Sequence, residues 1–468
     1  MLGASPALAA HDPAFPPPTP AGLKSLSSRA LSSRARSLST GAKNVVIVDG
    51  VRIPFALSQT IYQDVMAVDL AKMSLTGLMQ KTGLDASLVD YVLYGTVIQE
   101  SRTSNIAREA AMHAGYPIDV PAHTVTLACV SSNAAICQGA EKILAGQADV
   151  VVAGGCETFS DVPIRYSRPV RKRLLGAAKA LKKGPAGALG LLKGLKLKDL
   201  APEAPSISNF TTGEVMGHSS DRLAAKFGIS RKDQDDYTLM SHTRAQQAHD
   251  DGLYAEELVP GVKGADLSEN GIKAGSTPEK LAKLKPAFIK NETGTHTAAN
   301  SSFLTDGAAA TLVMSEEKAL ALGFKPKAYL RHWTFAAVDP FEELLLGPTY
   351  AVSKVLNDAK LDLKDVGVVE MHEAFAGQVL SNFAAMNSDK FAADFLPNRT
   401  QKLGEMDFAK VNTQGGSLSL GHPFGATGSR IVTTASNRLQ RSGEQFALVA
   451  ACADGGIGHS CLLERYPN

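Results

Sequence analysis

The sequence predicts an α/β protein whose two halves share one pattern. Strand-like apolar runs alternate with helix-like patterns along most of the chain, which is typical of layered folds with largely buried sheets. Residues 84–97, LDASLVDYVLYGTV, align without a gap with residues 361–374, LDLKDVGVVEMHEA, which indicates an internal duplication. A chain of 468 residues that is 44% hydrophobic can also bury sizeable cores, and its length predicts two or three domains.

The first half alternates strands and helices. The apolar run in NVVIVDGVRIPFA predicts a buried strand, and DVMAVDLAKMSLTGLMQKTG predicts a helix that stops at Gly83. Further on, the strand HTVTLA turns at Cys129 into an apolar helix that ends near Leu144. The strand ADVVVAGG follows this helix.

The second half repeats this order. TYAVSKVLNDAK predicts a helix, the segment NTQGGSLSLGHPFGATGSRIVTTASNRLQ turns at His422 into another, and the strand QFALVAAC ends at Cys452. If the halves pack about a pseudo-twofold axis, the Cys129 and His422 turns occupy equivalent places and can face one another. The glycines around His422, Gly425 among them, permit close approach of the backbone.

The N-terminal segment, residues 1–42, differs from the rest. Its stretch LKSLSSRALSSRARSLST is rich in Arg, Ser and Leu and contains no acid, which is typical of a mitochondrial presequence. The alternative is a disordered basic tail.

The composition excludes several classes of protein. A formal net charge of +2 argues against a general nucleic-acid coat, and no run of apolar residues is long enough for a membrane-spanning helix. The five cysteines form no CxxC pair and no zinc-like spacing, which favours a reduced, intracellular protein without a structural metal. No GxGxxG fingerprint follows a strand, so we expect no nicotinamide site.

A basic insertion interrupts the first half at about residues 161–284. Eleven Lys and Arg residues lie between Arg165 and Lys198, with no acid before Asp199. Leucines and alanines lie between the cations, and Gly/Pro breaks divide the stretch into short amphipathic helices. Such a segment suits attachment to an anionic bilayer, a wall for an apolar ligand, or recognition of phosphate groups. A solvated helical face is the plainer alternative.

Cys129 and His422 together indicate thiol chemistry. An imidazole beside a thiol, together with a helix N-terminus, stabilises the thiolate that acts as a nucleophile. Either residue alone would more often be structural, because buried cysteines usually pack as small apolar side chains. Their places in duplicated turns make the pair informative.

Five blocks of sequence, in this order, resemble the defining motifs of thiolases. They are LACVSSNAAICQGAEKI, GTHTAANSSFLTDGAAA, EMHEAFA, NTQGGSLSLGHPFGATGSR and CADGGIGHS. The similarity runs from about Asn44 to Arg465. His372, where many thiolases have Asn, and the basic insertion resemble the long-chain 3-ketoacyl-CoA thiolases of the mitochondrial trifunctional complex.

The resemblance implies a fold and a set of domains. The expected architecture is the duplicated five-layer α-β-α-β-α thiolase core with an inserted, mainly helical loop domain. We expect core halves at 43–160 with 285–318 and at 319–468, with the loop domain at 161–284.

The resemblance also implies the roles of catalytic residues. Cys129 would accept the acyl group, His422 would activate it, and Cys452 would shuttle a proton. His372 would help to polarise the thioester oxygen of the acetyl unit. A thiol suits Cys452 because it acts as an acid in one half-reaction and a base in the other.

Four further residues are expected at the substrate. Ser302 matches a serine near the CoA pantetheine, with a helix-capping or turn role as the alternative, and Gly425 belongs to the His422 loop. Asp454 stands where thiolases commonly have Gly, so we expect its carboxylate to point away and only its N–H to act. Glu373 is expected to orient its neighbours; His372 and Glu373 resemble the start of HExxH, but position 376 is Ala, so no metal is expected.

The implied reaction is CoA-dependent cleavage of a 3-ketoacyl-CoA, with CoA as a substrate and no cofactor. The implied partners are a second copy in a homodimer and a trifunctional α-subunit, with peripheral attachment to an anionic membrane on the matrix side of the mitochondrial inner membrane. Nucleic acid is not an expected primary partner. The alternatives are a short-chain acetoacetyl-CoA thiolase, a β-ketoacyl synthase, and a non-enzymatic membrane scaffold or RNA-binding protein.

Overall fold

The computed structural model describes residues 43–261 and 269–467. The expected presequence therefore lies outside the described residues, as does a short part of the insertion. The strands are β1 Val45–Arg52, β2 Ala56–Leu57, β3 Tyr91–Gly95, β4 Ala122–Val125, β5 Val150–Glu157, β6 Thr305–Ser315, β7 Ala328–Ala337, β8 Val368–Met371, β9 Phe446–Ala453 and β10 Ile457–Arg465. The helices are α1 Ala67–Thr82, α2 Ile106–His113, α3 Ser131–Leu144, α4 Arg168–Leu181, α5 Pro185–Leu192, α6 Met216–Lys226, α7 Arg231–Asp250, α8 Pro278–Ala282, α9 Glu316–Ala321, α10 Gly347–Ala359, α11 Ala376–Met386, α12 Asp389–Phe395, α13 Ser417–Leu420 and α14 Thr427–Ser442.

The strands pair in the order β4-β3-β5-β6-β1-β7-β10-β9-β8, and β2 pairs with β6 beside this path. The first five strands belong to one half and the last four to the other. The two halves meet where β1 and β7 pair antiparallel at only two positions, Val46 with Tyr329 and Ile47 with Ala328. Two sheets are thus joined at one edge by a short contact.

The internal duplication is visible in the structure. A 3-10 turn at Ala86–Leu88 precedes β3, and the aligned turn at Leu363–Asp365 precedes β8. The preceding helices end in left-handed residues at aligned positions, Gly83 with φ 67° and Lys360 with φ 56°. Gly83 is therefore the helix stop that the sequence predicts.

Both faces of the sheets are buried, which produces the layers. In β5, Val150 and Val152 pack with α1 and α2, whereas Val151 and Ala153 pack with α3 and α14. Alternate residues of β9 also pack on opposite faces of the sheet. One set packs with α14, and the other packs with α10 and α11. Helices α3 and α14 form the middle layer between the two halves, so the five-layer α/β prediction is confirmed.

The insertion is mainly helical, as the sequence predicts, although its exact bounds stay a prediction. Helices α6 and α7 pack against α11 and α13 of the second half. Helices α4 and α5 pack against each other, and neither contains a buried residue. Among the described residues, no helix combines the length and apolarity needed to cross a bilayer.

Candidate active site

Cys129 lies in the tight connection from β4 to α3. Ala128 before it has a φ of 44°, in the left-handed region that residues with a side chain rarely adopt. The Ser131 hydroxyl accepts from the Leu127 N–H at 2.9 Å and donates to the Ala128 carbonyl at 2.6 Å, which closes the turn. Cys129 is half-buried, whereas the other four cysteines are buried. Cys129 is thus the least buried of the five cysteines.

His422 lies in the loop between α13 and α14. Its Nδ1 is 2.6 Å from the Thr427 hydroxyl, which itself donates to the Pro423 carbonyl at 3.1 Å. Because that hydroxyl proton is engaged, we assign the Nδ1 of His422 as the donor and its Nε2 as unprotonated. This Nε2 is buried and has no hydrogen-bond partner, so it is free to accept a proton.

His372 follows β8 and has the opposite tautomer. Its Nδ1 is 2.8 Å from the Ser417 hydroxyl, and that oxygen accepts from Arg430 Nη2 at 3.3 Å. Ser417 is fully buried, so its proton is best satisfied by donation to the Nδ1 of His372. The Nε2 of His372 is then an N–H donor, and it too lacks a partner.

The three side chains converge on one point. The Cys129 sulfur and one ring nitrogen of each histidine all lie within 4.8 Å of one another. The two imidazole rings are 4.0 Å apart between centroids. The structure therefore brings together a thiol and two imidazoles from the two duplicated halves.

Desolvation controls the charges in this cluster. Burial raises the pKa of Cys129 to about 12, against the hydrogen bonds from the Asp454 and Cys129 amides that lower it. Burial, together with the Arg430 guanidinium, lowers the pKa of His372 to about 3, and burial holds the pKa of His422 well below its usual range. The resting state is a thiol with neutral imidazoles. Desolvation outweighs the stabilisation of the thiolate by the amides, so the proton must leave Cys129 when it attacks.

Cys452 and Asp454 lie at the end of β9 beside Cys129. Cys452 is buried, and burial together with the nearby Cys129 raises its pKa well above the usual value. The backbone amide of Asp454 lies near Cys129 and lowers the pKa of its thiol. The Asp454 carboxylate accepts from Asn209 Nδ2 at 2.7 Å and from the Gly455 N–H at 2.8 Å. The first of these hydrogen bonds runs to the insertion, and the second stays within the segment that follows β9.

Glu373 is enclosed by donors. It accepts hydrogen bonds from the Tyr237 hydroxyl at 3.0 Å, the Ser241 hydroxyl at 2.9 Å, Asn412 Nδ2 at 2.6 Å and the Leu418 N–H at 3.1 Å. It therefore links α7 of the insertion to the segment that carries His372, which fits an orienting role.

Ser302 and Gly425 border the cluster. Ser302 is half-buried, and its N–H donates to the Ala374 carbonyl at 2.9 Å, beside the His372 segment. A Cβ on Gly425 would lie 2.4 Å from the Cys156 carbonyl oxygen and 2.6 Å from that of Gly95. The His422 loop can approach the first half this closely only because position 425 has no side chain.

Glu157 is a site residue that the sequence analysis missed. At the end of β5 it accepts from the Val97 N–H at 3.1 Å, the Ile98 N–H at 2.9 Å and the Gly425 N–H at 3.0 Å. It thus ties the His422 loop to the first half, and burial raises its pKa to about 7. An acid directly after an apolar strand was the available signal.

Cys129, His372 and His422 form the group of potential metal ligands among the described residues. One thiolate and two imidazoles suit zinc, which in open sites takes three protein ligands and a water. The HExxH-like stretch supplies His372 alone, because Glu373 is already satisfied by four donors.

Two family models match nearly all of the described chain. The thiolase N-terminal domain matches residues 45–317, and the thiolase C-terminal domain matches residues 324–465.

Two relatives and two solved structures each cover more than nine tenths of this chain. The human mitochondrial trifunctional enzyme subunit beta is 55% identical over 427 residues, covering 91% of this chain and 89% of that protein. A probable 3-ketoacyl-CoA thiolase of Caenorhabditis elegans is 51% identical, covering 92% of this chain and 97% of that protein.

The crystal structure of human mitochondrial 3-ketoacyl-CoA thiolase in complex with CoA superposes with a TM-score of 0.77 at 29% identity, covering 91% of this chain and 99% of that one. The Bacillus anthracis acetyl-CoA acetyltransferase gives a TM-score of 0.77 at 31% identity, covering 92% of this chain and all of that one. By its sequence and its fold, this chain belongs to the thiolase family.

Proposed function

We propose that this chain is a long-chain 3-ketoacyl-CoA thiolase, which cleaves 3-ketoacyl-CoA with CoA to acetyl-CoA and an acyl-CoA shorter by two carbons. The observation that carries the proposal is the Cys129 sulfur within 4.8 Å of a ring nitrogen of His422 and of His372, two histidines whose Nε2 atoms have no hydrogen-bond partner. A nucleophile, a base and a donor in these positions suit attack on a carbonyl carbon. The trifunctional relatives support the long-chain assignment.

In the first half-reaction, Cys129 gives its proton to the Nε2 of His422 while its sulfur attacks the 3-keto carbon. Main-chain amides of Cys129 and Asp454 stabilise the oxyanion formed there. The bond between C2 and C3 then breaks, and its electron pair forms the enolate of acetyl-CoA. His372 Nε2–H donates to the enolate oxygen, and the Cys452 thiol protonates C2.

In the second half-reaction, the Cys452 thiolate takes the proton of the CoA thiol. The CoA sulfur attacks the acyl-Cys129 thioester, and the shortened acyl-CoA leaves. The proton held by His422 returns to Cys129. CoA enters as a substrate, and every proton moves between groups of this chain and the substrates, so the cycle needs no prosthetic group.

The test is CoA-dependent cleavage of 3-ketohexadecanoyl-CoA against acetoacetyl-CoA, with Cys129→Ala as the blank. A strong preference for the long substrate is expected. A preference for acetoacetyl-CoA would overturn the long-chain assignment in favour of the short-chain alternative. Equal turnover by the Cys129→Ala variant would overturn the mechanism itself.

A β-ketoacyl synthase is the second candidate, since the site holds a cysteine with two histidines. Cys452 next to Cys129 favours the thiolase, because a synthase has no CoA thiol to deprotonate. Decarboxylation of a malonyl thioester in place of CoA-dependent cleavage would establish the synthase.

The proposed assembly is a homodimer joined to a trifunctional α-subunit, since the human relative is a subunit of a trifunctional enzyme. The named trifunctional relatives are mitochondrial proteins, which supports a mitochondrial location. We place the chain peripherally on the matrix side of the inner membrane. Copurification of an α-subunit with hydratase and dehydrogenase activities tests the assembly.

The surface of α4 and α5 supports membrane attachment. Leu175, Leu189 and Leu197 are 88%, 72% and 86% exposed among the cations of this stretch. Exposed leucines beside Lys and Arg suit the interface of an anionic bilayer.

Cosedimentation with anionic phospholipid vesicles is expected, and it should weaken in a Leu175→Gln, Leu189→Gln variant. A Leu320→Gln variant is the control, because Leu320 is exposed outside the insertion. Binding unchanged by the double substitution would remove this proposal.

A further inference from the structure

Asn209 organises a turn of the insertion. Its Oδ1 accepts from the Thr211 N–H at 3.0 Å and the Thr212 N–H at 2.9 Å, and its own N–H donates to the Glu214 carbonyl at 2.8 Å. The residue is buried, although Phe210 next to it is fully exposed. The oxygen of the side chain is therefore committed to the turn, and its NH2 group is left for another partner.

That partner is Asp454, 245 residues further along the chain. Asn209 Nδ2 donates to Asp454 Oδ1 at 2.7 Å, and the same oxygen accepts from the Gly455 N–H at 2.8 Å. Asp454 lies two residues after Cys452, and its backbone amide lowers the pKa of the Cys129 thiol. The hydrogen bond from the insertion turn thus ends on a residue that interacts with Cys129.

We propose that Asn209 and Asp454 are positioning residues: the amide of Asn209 holds the Asp454 carboxylate against the insertion, so that the Asp454 N–H faces Cys129 and the carboxylate stays away from the reacting oxygens. The proposal rests on the proposed function. An untethered carboxylate at this place would repel the developing oxyanion and the Cys129 thiolate. The hydrogen bond from Asn209 explains how an acidic residue can occupy a position next to the catalytic thiols.

The pair predicts a specific pattern among variants. Asn209→Asp keeps the oxygen that the turn needs, but it replaces the donor with a second carboxylate that repels Asp454. Asp454→Asn keeps the acceptor oxygen and removes the charge. The exchange variant, Asn209→Asp with Asp454→Asn, restores an amide facing a carboxylate. Asn291→Asp is the matched control, because Asn291 Oδ1 also accepts within a turn, from the Thr293 N–H at 3.0 Å.

The first readout is the rate of alkylation of Cys129 by iodoacetamide at one fixed pH, without substrate. The other charged or titratable groups near this sulfur, namely Glu157, His372, His422 and Cys452, are the same in every variant. Asn209→Asp should slow alkylation about threefold or more, which corresponds to roughly half a unit in the thiol pKa. Asp454→Asn should accelerate it, and the exchange variant should return close to the rate of the parent enzyme.

The second readout is kcat for thiolysis, which should fall about tenfold in Asn209→Asp, as expected for one lost hydrogen bond to a charged group. The exchange variant should recover most of this loss, and Asn291→Asp should match the parent in both readouts. An exchange variant no better than Asn209→Asp, or an Asn209→Asp variant equal to the parent, would overturn the proposal.

Asn209→Ser keeps a turn oxygen without adding charge, and it replaces Asn209→Asp in these comparisons if the latter does not fold. Because alkylation needs no turnover, the pair can be tested even if the proposed thiolase activity is wrong.

Discussion

At the residue scale, the hydrogen bonds of His422 and His372 assign opposite tautomers to the two rings. Thr427 leaves the Nε2 of His422 without a proton, while Ser417 and Arg430 leave the Nε2 of His372 with one. Two chemically identical side chains thus become a base and a donor. The difference comes from their hydrogen-bond partners, since both rings are buried in one cluster.

The charge state of Cys129 can be measured directly. Burial raises the pKa of this thiol and lowers that of His422, so the free enzyme holds a neutral pair at pH 7. We expect the rate of iodoacetamide alkylation to rise about tenfold per pH unit above pH 7 without a plateau, because only the thiolate reacts. A plateau reached below pH 7 would instead indicate a preformed thiolate and imidazolium. Cys129→Ser provides the blank.

Zinc should inhibit the enzyme at the same cluster. Binding of Zn²⁺ by the Cys129 sulfur and the two histidine nitrogens would release the thiol proton and occupy the nucleophile. We expect Zn²⁺ to inhibit thiolysis, and a chelator to reverse the inhibition. Co²⁺ should show a thiolate charge-transfer band that is absent in Cys129→Ser. Cobalt binding that survives Cys129→Ser with the same spectrum would place the metal elsewhere.

At the scale of elements, the site is assembled by loops that cross between the halves. The His422 loop is fixed by Glu157 of β5 through the Gly425 N–H, and the His372 segment is fixed by α7 through Glu373. The insertion is therefore part of the support of the active site as well as a surface element.

Gly425→Ala tests the closeness of this packing. The new Cβ would lie 2.4 Å from the Cys156 carbonyl oxygen, so the His422 loop must move. A displacement of about 1 Å can lower the rate by roughly a hundredfold, and we expect a loss of kcat of that order. Gly176→Ala in α4, where no atom lies within 4 Å of the added Cβ, should leave thiolysis unchanged. Full activity in Gly425→Ala would contradict the assigned role of this contact.

At the scale of the whole molecule, buried neutral histidines link stability to pH. Burial lowers the pKa of His372 and of His459 to about 3 and that of His242 to about 4. Between these values and about 6.5 the unfolded chain binds more protons than the folded chain. Stability contributed by these groups is therefore present above about pH 6.5 and is lost as the pH falls below it.

We expect Tm to fall between pH 7 and pH 5.5. The cause is a decrease in the free energy of unfolding, by up to about 1.4 kcal/mol per buried histidine and pH unit. Differential scanning fluorimetry measures the slope. His459 donates to the Thr334 carbonyl at 3.0 Å away from the catalytic cluster. His459→Asn can keep that donor without the titration, so it should show a flatter dependence on pH. An unchanged slope in His459→Asn would exclude this residue as a source of the acid sensitivity.

Sequence patterns alone were enough to predict the duplicated α/β core and the positions of its main turns. Apolar periodicity and glycine stops follow from local sterics and burial, which is why the aligned segments at 84–97 and 361–374 fold alike. The blocks around Cys129, His422 and Cys452 also identified the family, which the family models match.

The protonation states at the site, and the distant contacts that hold its loops, depend on the tertiary structure. Desolvation depends on the packing of all layers, so the neutral thiol at Cys129 could not be read from its neighbours in sequence. Glu157 and Asn209 act through partners more than 200 residues away, Gly425 and Asp454. Such contacts exist only once the two halves and the insertion are packed together, because no local pattern specifies which distant donor will meet a buried acceptor.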